Sequence, residues 1–229
     1  MDKEIVFTNT LGLDFFPPTP GVKNVPDWYI NTSEYRNDSG RTFGDDGTPH
    51  TIKKCVPVFD AITAGYILYT QVDVQVTQVE GVPYYRWASQ NAIEFHPIEQ
   101  APLHPRYNGA AYPKWQNPYA IKTPPGYSSL FLSPLHNPNQ IFTIFEGLVD
   151  TDKYTIPVNF PFILNNVKWE GIIKAGTPMA QVIPVKRDSW KHKIGTEKDR
   201  MEQDMFVMKL KTILFNSYKK QFWSRKEYK

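Results

Sequence analysis

From Lys54 onward the chain is a succession of short apolar runs separated by Pro, Gly and Asn. Residues 65–70 lead into Val72, Val74 and Val76, which alternate with Asp73, Gln75 and Thr77. That period of two predicts one continuous, half-buried strand across 65–77. Residues 83–87 and 92–95 predict further strands, as do the runs at 128–132, 140–145, 156–160, 169–173 and 179–185. Such spacing favours a sandwich or barrel over alternating β-α units. Residues 97–119 carry Pro97, Pro102, Pro105, Pro113 and Pro118 and are expected to form a long loop. Residues 1–53 read as an irregular arm. Phe15-Phe16-Pro17-Pro18-Thr19-Pro20 suits neither a helix interior nor a central strand, and residues 37–40 and 44–47 are turn clusters.

The pattern changes after residue 190. Thr196 can cap a helix, with Asp199 three residues on as a capping-box partner. Met201, Met205, Met208, Thr212 and Phe215 follow at helical spacing, widened by Phe206, Leu210 and Ile213. These predict an amphipathic helix of about five turns, docked on its own domain or on a neighbouring subunit. The expected organisation is therefore an irregular arm (1–53), a β domain (54–190) and a basic helical extension (191–229).

Composition sharpens this picture at three points. The 20 prolines and 14% aromatic residues suit short strands between fixed turns and argue against a helical bundle. A lone cysteine, Cys55, excludes an intrachain disulfide and suits a reducing cytosol; near Val56 and Val58 it is expected to be a small buried hydrophobe. No basic region followed by a long apolar run opens the chain, and no run approaches 18 apolar residues. Neither a signal peptide nor a membrane partner is expected, and the expected location is cytoplasmic. The net charge of +3 is unevenly placed. Residues 186–229 hold 13 Lys/Arg against 6 Asp/Glu, a net +7, leaving −4 on the remainder. A solvated helix face is the plain reading of that basic end; contact with nucleic acid, with Trp223 and Tyr228 stacking on bases, is the sharper one.

Three blocks carry a family resemblance. Gly147-Leu148-Val149-Asp150-Thr151-Asp152-Lys153-Tyr154 is followed by Ile156-Pro157-Val158-Asn159, and then by Lys174-Ala175-Gly176-Thr177-Pro178-Met179-Ala180-Gln181. Upstream stand Ala64-Gly65-Tyr66-Ile67-Leu68-Tyr69 and Pro125-Gly126-Tyr127-Ser128-Ser129-Leu130. In this order the blocks resemble the trimeric dUTPase and dCTP deaminase superfamily over about residues 60–185. The resemblance implies a mainly β, β-clip barrel or sandwich, a homotrimer, and a pocket lined by Asp150, Asp152, Tyr154, Tyr66, Ser128 and Ser129. In that family the Asp meets sugar and water and the Tyr stacks on the nucleotide. Gly176 and Ala180 read as structural, since small residues let strands approach closely.

The departures from the family bear on function. Ile67 stands where the family has a metal-holding Asp, and Ser133-Pro134-Leu135-His136 stands where an Arg-Ser segment contacts phosphate. Lys153 is inserted before Tyr154, and the Gly-rich closing segment is replaced by the basic end. Pyrophosphate hydrolysis needs a metal clamp and preorganised cations. The expectation is thus a chain without catalytic residues: a dUTPase-like scaffold acting as a structural or interaction protein. A bacteriophage virion or assembly component is its concrete version, with partners met through the C-terminal helix and the proline- and aromatic-rich loops. The alternative is a nucleotide-binding protein (a sponge, a sensor or a divergent pyrophosphatase), with Mg2+ as its only implied cofactor. His96, His104 and Glu94 could converge on a metal in an all-β cup, but no paired His or Cys spacing supports one and no metal site is expected.

Overall fold

The computed structural model describes residues 3–36, 50–88, 92–100, 111–212, 219 and 222–229, with the backbone alone at 98 and 209–212. The turn clusters at 37–40 and 44–47, and His104, Pro102, Pro105, Ile213 and Phe215, lie outside the described residues, as does the side chain of Leu210. The architecture is mainly β, with antiparallel pairing throughout and a helix near the C-terminus.

One sheet carries the candidate site. It contains β2 (Thr19–Pro20), β3 (Tyr66–Tyr69), β9 (Tyr127–Leu132), β11 (Gly147–Val149) and β14 (Pro178–Lys186), in the order β11-β9-β14-β3-β2. A second sheet holds β6 (Ile93–His96), β7 (Tyr112–Trp115), β10 (Phe142–Ile144) and β12 (Phe160–Leu164), ordered β10-β12-β7-β6. A third is β13-β4-β5, made from β4 (Val74–Val79), β5 (Val82–Trp87) and β13 (Gly171–Ile173). A two-stranded ladder joins β1 (Val6–Asn9) to β8 (Tyr119–Lys122). The inner faces share one core in which Trp115 stacks on Phe162 with centroids 4.8 Å apart, and Phe131, Phe142, Ile144, Val74, Ile173 and Val182 are buried. Side chains alternate across the pleat, so Val74 and Val76 are buried while Gln75 is exposed.

The expected strand across 65–77 is two strands in different sheets. The chain leaves β3 at Thr70, whose hydroxyl donates to the Lys174 carbonyl (2.8 Å) and whose backbone N–H donates to Thr177 (3.0 Å). Asp73 then accepts from Lys174 Nζ and from the Ala175 N–H, both at 2.8 Å, and pins the crossing to the turn before β14. The expected loop at 97–119 contains β7, whose Tyr112 and Trp115 are buried. Pro113 is tolerated there because the ladder to β12 reaches only Lys114 and Trp115, so no partner asks for its missing N–H. The run expected at 156–160 becomes a strand only at Phe160, and Ile156 is exposed. The expected irregular arm supplies β1, β2 and the short helix α1 (Asp27–Asn31).

Cys55 corrects another expectation. It is exposed, at the N-cap of the helix α2 (Val56–Thr63), which Pro57 opens and which buries Ile62 rather than the thiol. The C-terminal helix α3 (Glu197–Thr212) starts as the sequence predicts: the Asp199 carboxylate accepts from both the Thr196 N–H (2.6 Å) and its hydroxyl (2.7 Å). Met201, Met205 and Met208 of its methionine face are all more than half exposed among the described residues.

Candidate functional site

The site expected from Asp150, Asp152 and Ser128 forms where β11 ends beside β9 and the end of β14. The pairing Val149↔Ser129 sets β11 against β9, and Val185↔Ser128 sets β14 on the other side. After Val149 the chain turns tightly, with the Lys153 and Tyr154 N–H groups both donating to the Asp150 carbonyl (2.9 and 2.8 Å). The turn thus presents Asp150 and Asp152 toward the same point. Ser128 donates its hydroxyl to Asp150 Oδ1 at 2.7 Å, and the Gly126 N–H donates to Asp152 Oδ2 at 2.9 Å.

Between the two carboxylates sits a residue that sequence reasoning assigned to the basic tail. Arg187 follows β14 directly. Its guanidinium forks onto both oxygens of Asp152, with Nη1 2.8 Å from Oδ1 and Nη2 on Oδ2. Nη1 also lies 3.2 Å from Asp150 Oδ1 and donates to the Tyr127 carbonyl at 3.0 Å and the Ser128 hydroxyl at 3.2 Å. Fork-to-fork pairing is the strong geometry for Arg and carboxylate. Arg187 holds the Asp152 carboxyl far below the usual carboxylate range, helped by the Gly126 N–H and against the desolvation of a side chain only 7% exposed. Asp152 in turn raises the Arg187 pKa. The sequence analysis counts Arg187 with the basic end and does not place it beside these carboxylates. The only available signal was Lys186-Arg187 at the end of an apolar run, where a β strand leaves the sheet beside its neighbour.

The other expected ligands divide. Ser129 is fully buried in a hydroxyl cluster: the Thr151 hydroxyl bonds both Ser129 and Thr123 at 2.8 Å. That cluster ties β9 to the turn and has no face left for a ligand. Tyr154 is adjacent but 46% exposed. Tyr66 stands apart, edge-on to Phe7 (5.1 Å) and Tyr228 (6.0 Å), in a neighbouring cleft with Tyr127 and Thr123. Ile67 is buried in β3. The Ser133–His136 segment is a turn with His136 at φ 56°; the His136 carbonyl accepts from the Trp28 indole (2.7 Å), and the Leu135 N–H donates to Gln181 Oε1 (2.8 Å).

The remaining chemical candidates are also engaged. Glu94 is paired with Lys114 at 2.8 Å, and no group of three or more His, Cys, Asp or Glu able to hold a metal is found among the described residues. Trp223 and Tyr228 pack on the chain itself: the Trp223 indole donates to Asp60 (2.9 Å), where Lys226 also pairs (2.6 Å). Among the described residues no helix is long and apolar enough to cross a membrane.

No family model matches the chain, and no curated protein matches it. Among solved structures it is similar to a mutant dUTPase from phage phi11 of S. aureus, a structure that concerns the coordination of a structural Mg(II) ion. The identity is 13%, the coverage 72% of this chain and 93% of that one, and the TM-score 0.32.

Proposed function

We propose that the chain is a non-catalytic scaffold that works by protein contact, in a homo-oligomer for which the dUTPase resemblance suggests a trimer, with a phage virion or assembly role as its concrete form. The observation that carries this reading is the internal closure of the Asp150–Asp152 turn. Its carboxylates are already matched by Arg187, Ser128 and Gly126, and Ser129 is spent on Thr151. A ligand would have to displace a bidentate, charge-assisted arginine pair. The exposed stretch that follows supports contact with a partner. Trp190 and Ile194 are 87% and 88% exposed, and they lead into α3, whose Met201, Met205 and Met208 are more than half exposed among the described residues. Large apolar side chains held in water at this density favour burial on another surface.

The test has two arms. Light scattering after size exclusion is expected to give a multiple of the 26.5 kDa chain, and Trp190→Ser with Ile194→Ser is expected to lower it. A thermal-shift panel of nucleoside triphosphates with Mg2+ is expected to give no shift. A monomer in the first arm, or a shift in the second that Asp150→Ala removes, replaces this reading with the nucleotide-binding one.

A further inference from the structure

Every residue from Asp188 to Met208 is exposed, although α3 carries a regular apolar stripe. The stripe holds Met201, Met205 and Met208, and its steps of four and three continue in the sequence through Thr212 and Phe215. Alternating steps of four and three are the seam of a coiled coil, where the knobs of one helix fit between those of another. A helix draws most of its stability from packing such a face, and methionine adapts to a seam of uneven shape. The far side of α3 is already used: Phe206 meets Phe222 of the same chain edge-on, with centroids 5.3 Å apart.

The charges beside the seam decide what fits it. In the heptad frame Glu202 and Lys209 flank one side of the stripe, and Asp204 and Lys211 the other. Glu202 and Asp204 are exposed and form no ion pair among the described residues, whereas Glu197 is held by Arg200 and Asp199 caps Thr196. In an antiparallel pair each flanking position meets its own kind on the other helix. Setting Met205 opposite Met208 of a second copy, and Met201 opposite Thr212, brings Glu202 to Lys209 and Asp204 to Lys211, and each match occurs twice. A shift of one heptad in one direction sets Glu202 on Glu202 and Asp204 on Asp204; in the other it sets Lys209 on Lys209 and Lys211 on Lys211. A parallel pair keeps an Asp204–Lys209 match but sets Glu197 on Glu202. Flanking charges choose partner and orientation in coiled coils, and of these arrangements the first alone matches every acid with a base.

We propose that α3 pairs antiparallel with α3 of a second copy, in the register that places Met205 opposite Met208. This rests on the scaffold reading's assembly of copies and names one surface through which they meet. An antiparallel pair needs a two-fold axis, so in a trimer it joins one trimer to the next rather than holding a trimer together. The overlap runs only from Met201 to Thr212, which makes a weak contact best read by trapping it. The test starts from the full chain carrying Cys55→Ser, which removes the single cysteine. Met205→Cys and Met208→Cys are made separately in that chain, one of them with a size tag, and are oxidised with glutathione disulfide alone and mixed. The mixed disulfide is expected to exceed either self-disulfide severalfold. Lys209→Glu with Lys211→Glu is expected to lower the mixed yield by about tenfold, and adding Glu202→Lys with Asp204→Lys to restore it. Self-disulfides that match the mixed one point to a parallel pair and overturn the proposal. So does a mixed yield that the charge reversal leaves unchanged or that the full exchange fails to restore. Light scattering separates this pairing from the reading beneath it. A multiple of 26.5 kDa with no mixed disulfide removes the pairing and leaves the scaffold reading standing. A shift with Mg2+ and nucleotide while the mixed disulfide persists does the reverse.

Discussion

Gln181→Leu is the most informative single change outside either site. Gln181 is fully buried in β14, and its amide serves three backbone groups. Nε2 donates to the Ala64 carbonyl at 2.6 Å and the Ala61 carbonyl at 3.0 Å, at the C-terminal end of α2. Oε1 accepts from the Leu135 N–H at 2.8 Å. One side chain thus caps a helix and anchors the Ser133–His136 turn from beneath the sheet. Leucine nearly matches glutamine in volume, so the cavity contribution is small and the loss is chiefly polar. Ala61 keeps a long bond from the Ala64 N–H at 3.4 Å, which leaves the Ala64 carbonyl and the Leu135 N–H without partners. Two orphaned groups cost about 2–6 kcal/mol, and the added apolar burial returns about 1–2. The expected net loss is about 2–3 kcal/mol.

Urea unfolding followed by tryptophan fluorescence reads this directly. A chain of this length has an m-value near the upper end of about 1–3 kcal/mol/M, so the midpoint should fall by about 1 M with m unchanged. Gln181→Glu adds a sign. Its carboxylate still accepts from Leu135, but once ionised it cannot donate to the α2 carbonyls, and burial raises its pKa. Its deficit should therefore grow as pH rises through the carboxylate range. A midpoint shift under about 0.3 M for the leucine variant would show that the amide network carries little of the stability, and would refute the bookkeeping.

Three further outcomes follow from the same geometry. Arg187 depresses the folded-state pKa of Asp152, so its contribution is present above the unfolded value of about 3.9 and drains away as pH falls below it. The melting-temperature gap between the native chain and Arg187→Gln should be flat at about pH 5–7 and shrink below about pH 4; a pH-independent gap would contradict the pairing. Gly65 has φ +63° and a Cβ there would lie 1.9 Å from the Val182 carbonyl oxygen, whereas Gly81 has φ +80° and open space. Gly81→Ala should cost only the left-handed strain of about 1–2 kcal/mol in urea unfolding and Gly65→Ala clearly more, so equal losses would count against the close approach of β3 and β14. Asp60→Ala removes the partner of both Trp223 and Lys226, and limited trypsinolysis at Arg225 and Lys226 should accelerate severalfold while cleavage of the β domain is unchanged.

The fold was legible wherever one local rule decided it. Strict alternation located β4, and Thr196 with Asp199 set the start of α3. It was illegible where a tertiary partner decided. Nothing local in residues 65–77 shows that Thr70 will bond the 174–177 turn and send the chain to another sheet. Pro113 argued against a strand, and only the short register of β12 against β7 makes room for it. Val56 and Val58 after Cys55 do not reveal its exposure, because so short an alternation looks alike at the start of a helix and in a strand.

The site shows the same division in charge. Asp150 and Asp152 are separated by one residue, so an extended or turning backbone brings them to one side, and sequence alone places them together. Arg187 lies 35 residues beyond Asp152, and its charge was counted without its address. The address comes from β14 pairing with β9: Lys186 stands opposite Tyr127, and the Arg187 N–H donates to the Gly126 carbonyl at 2.9 Å, which delivers the guanidinium to the turn that Gly126 shares with Asp152. A register slip of one residue would put Arg187 on the opposite face and leave two carboxylates facing each other without a cation. The ion pair and the strand register therefore specify one another. That coupling is a structural use for a pair of acids that the resemblance alone would assign to a nucleotide.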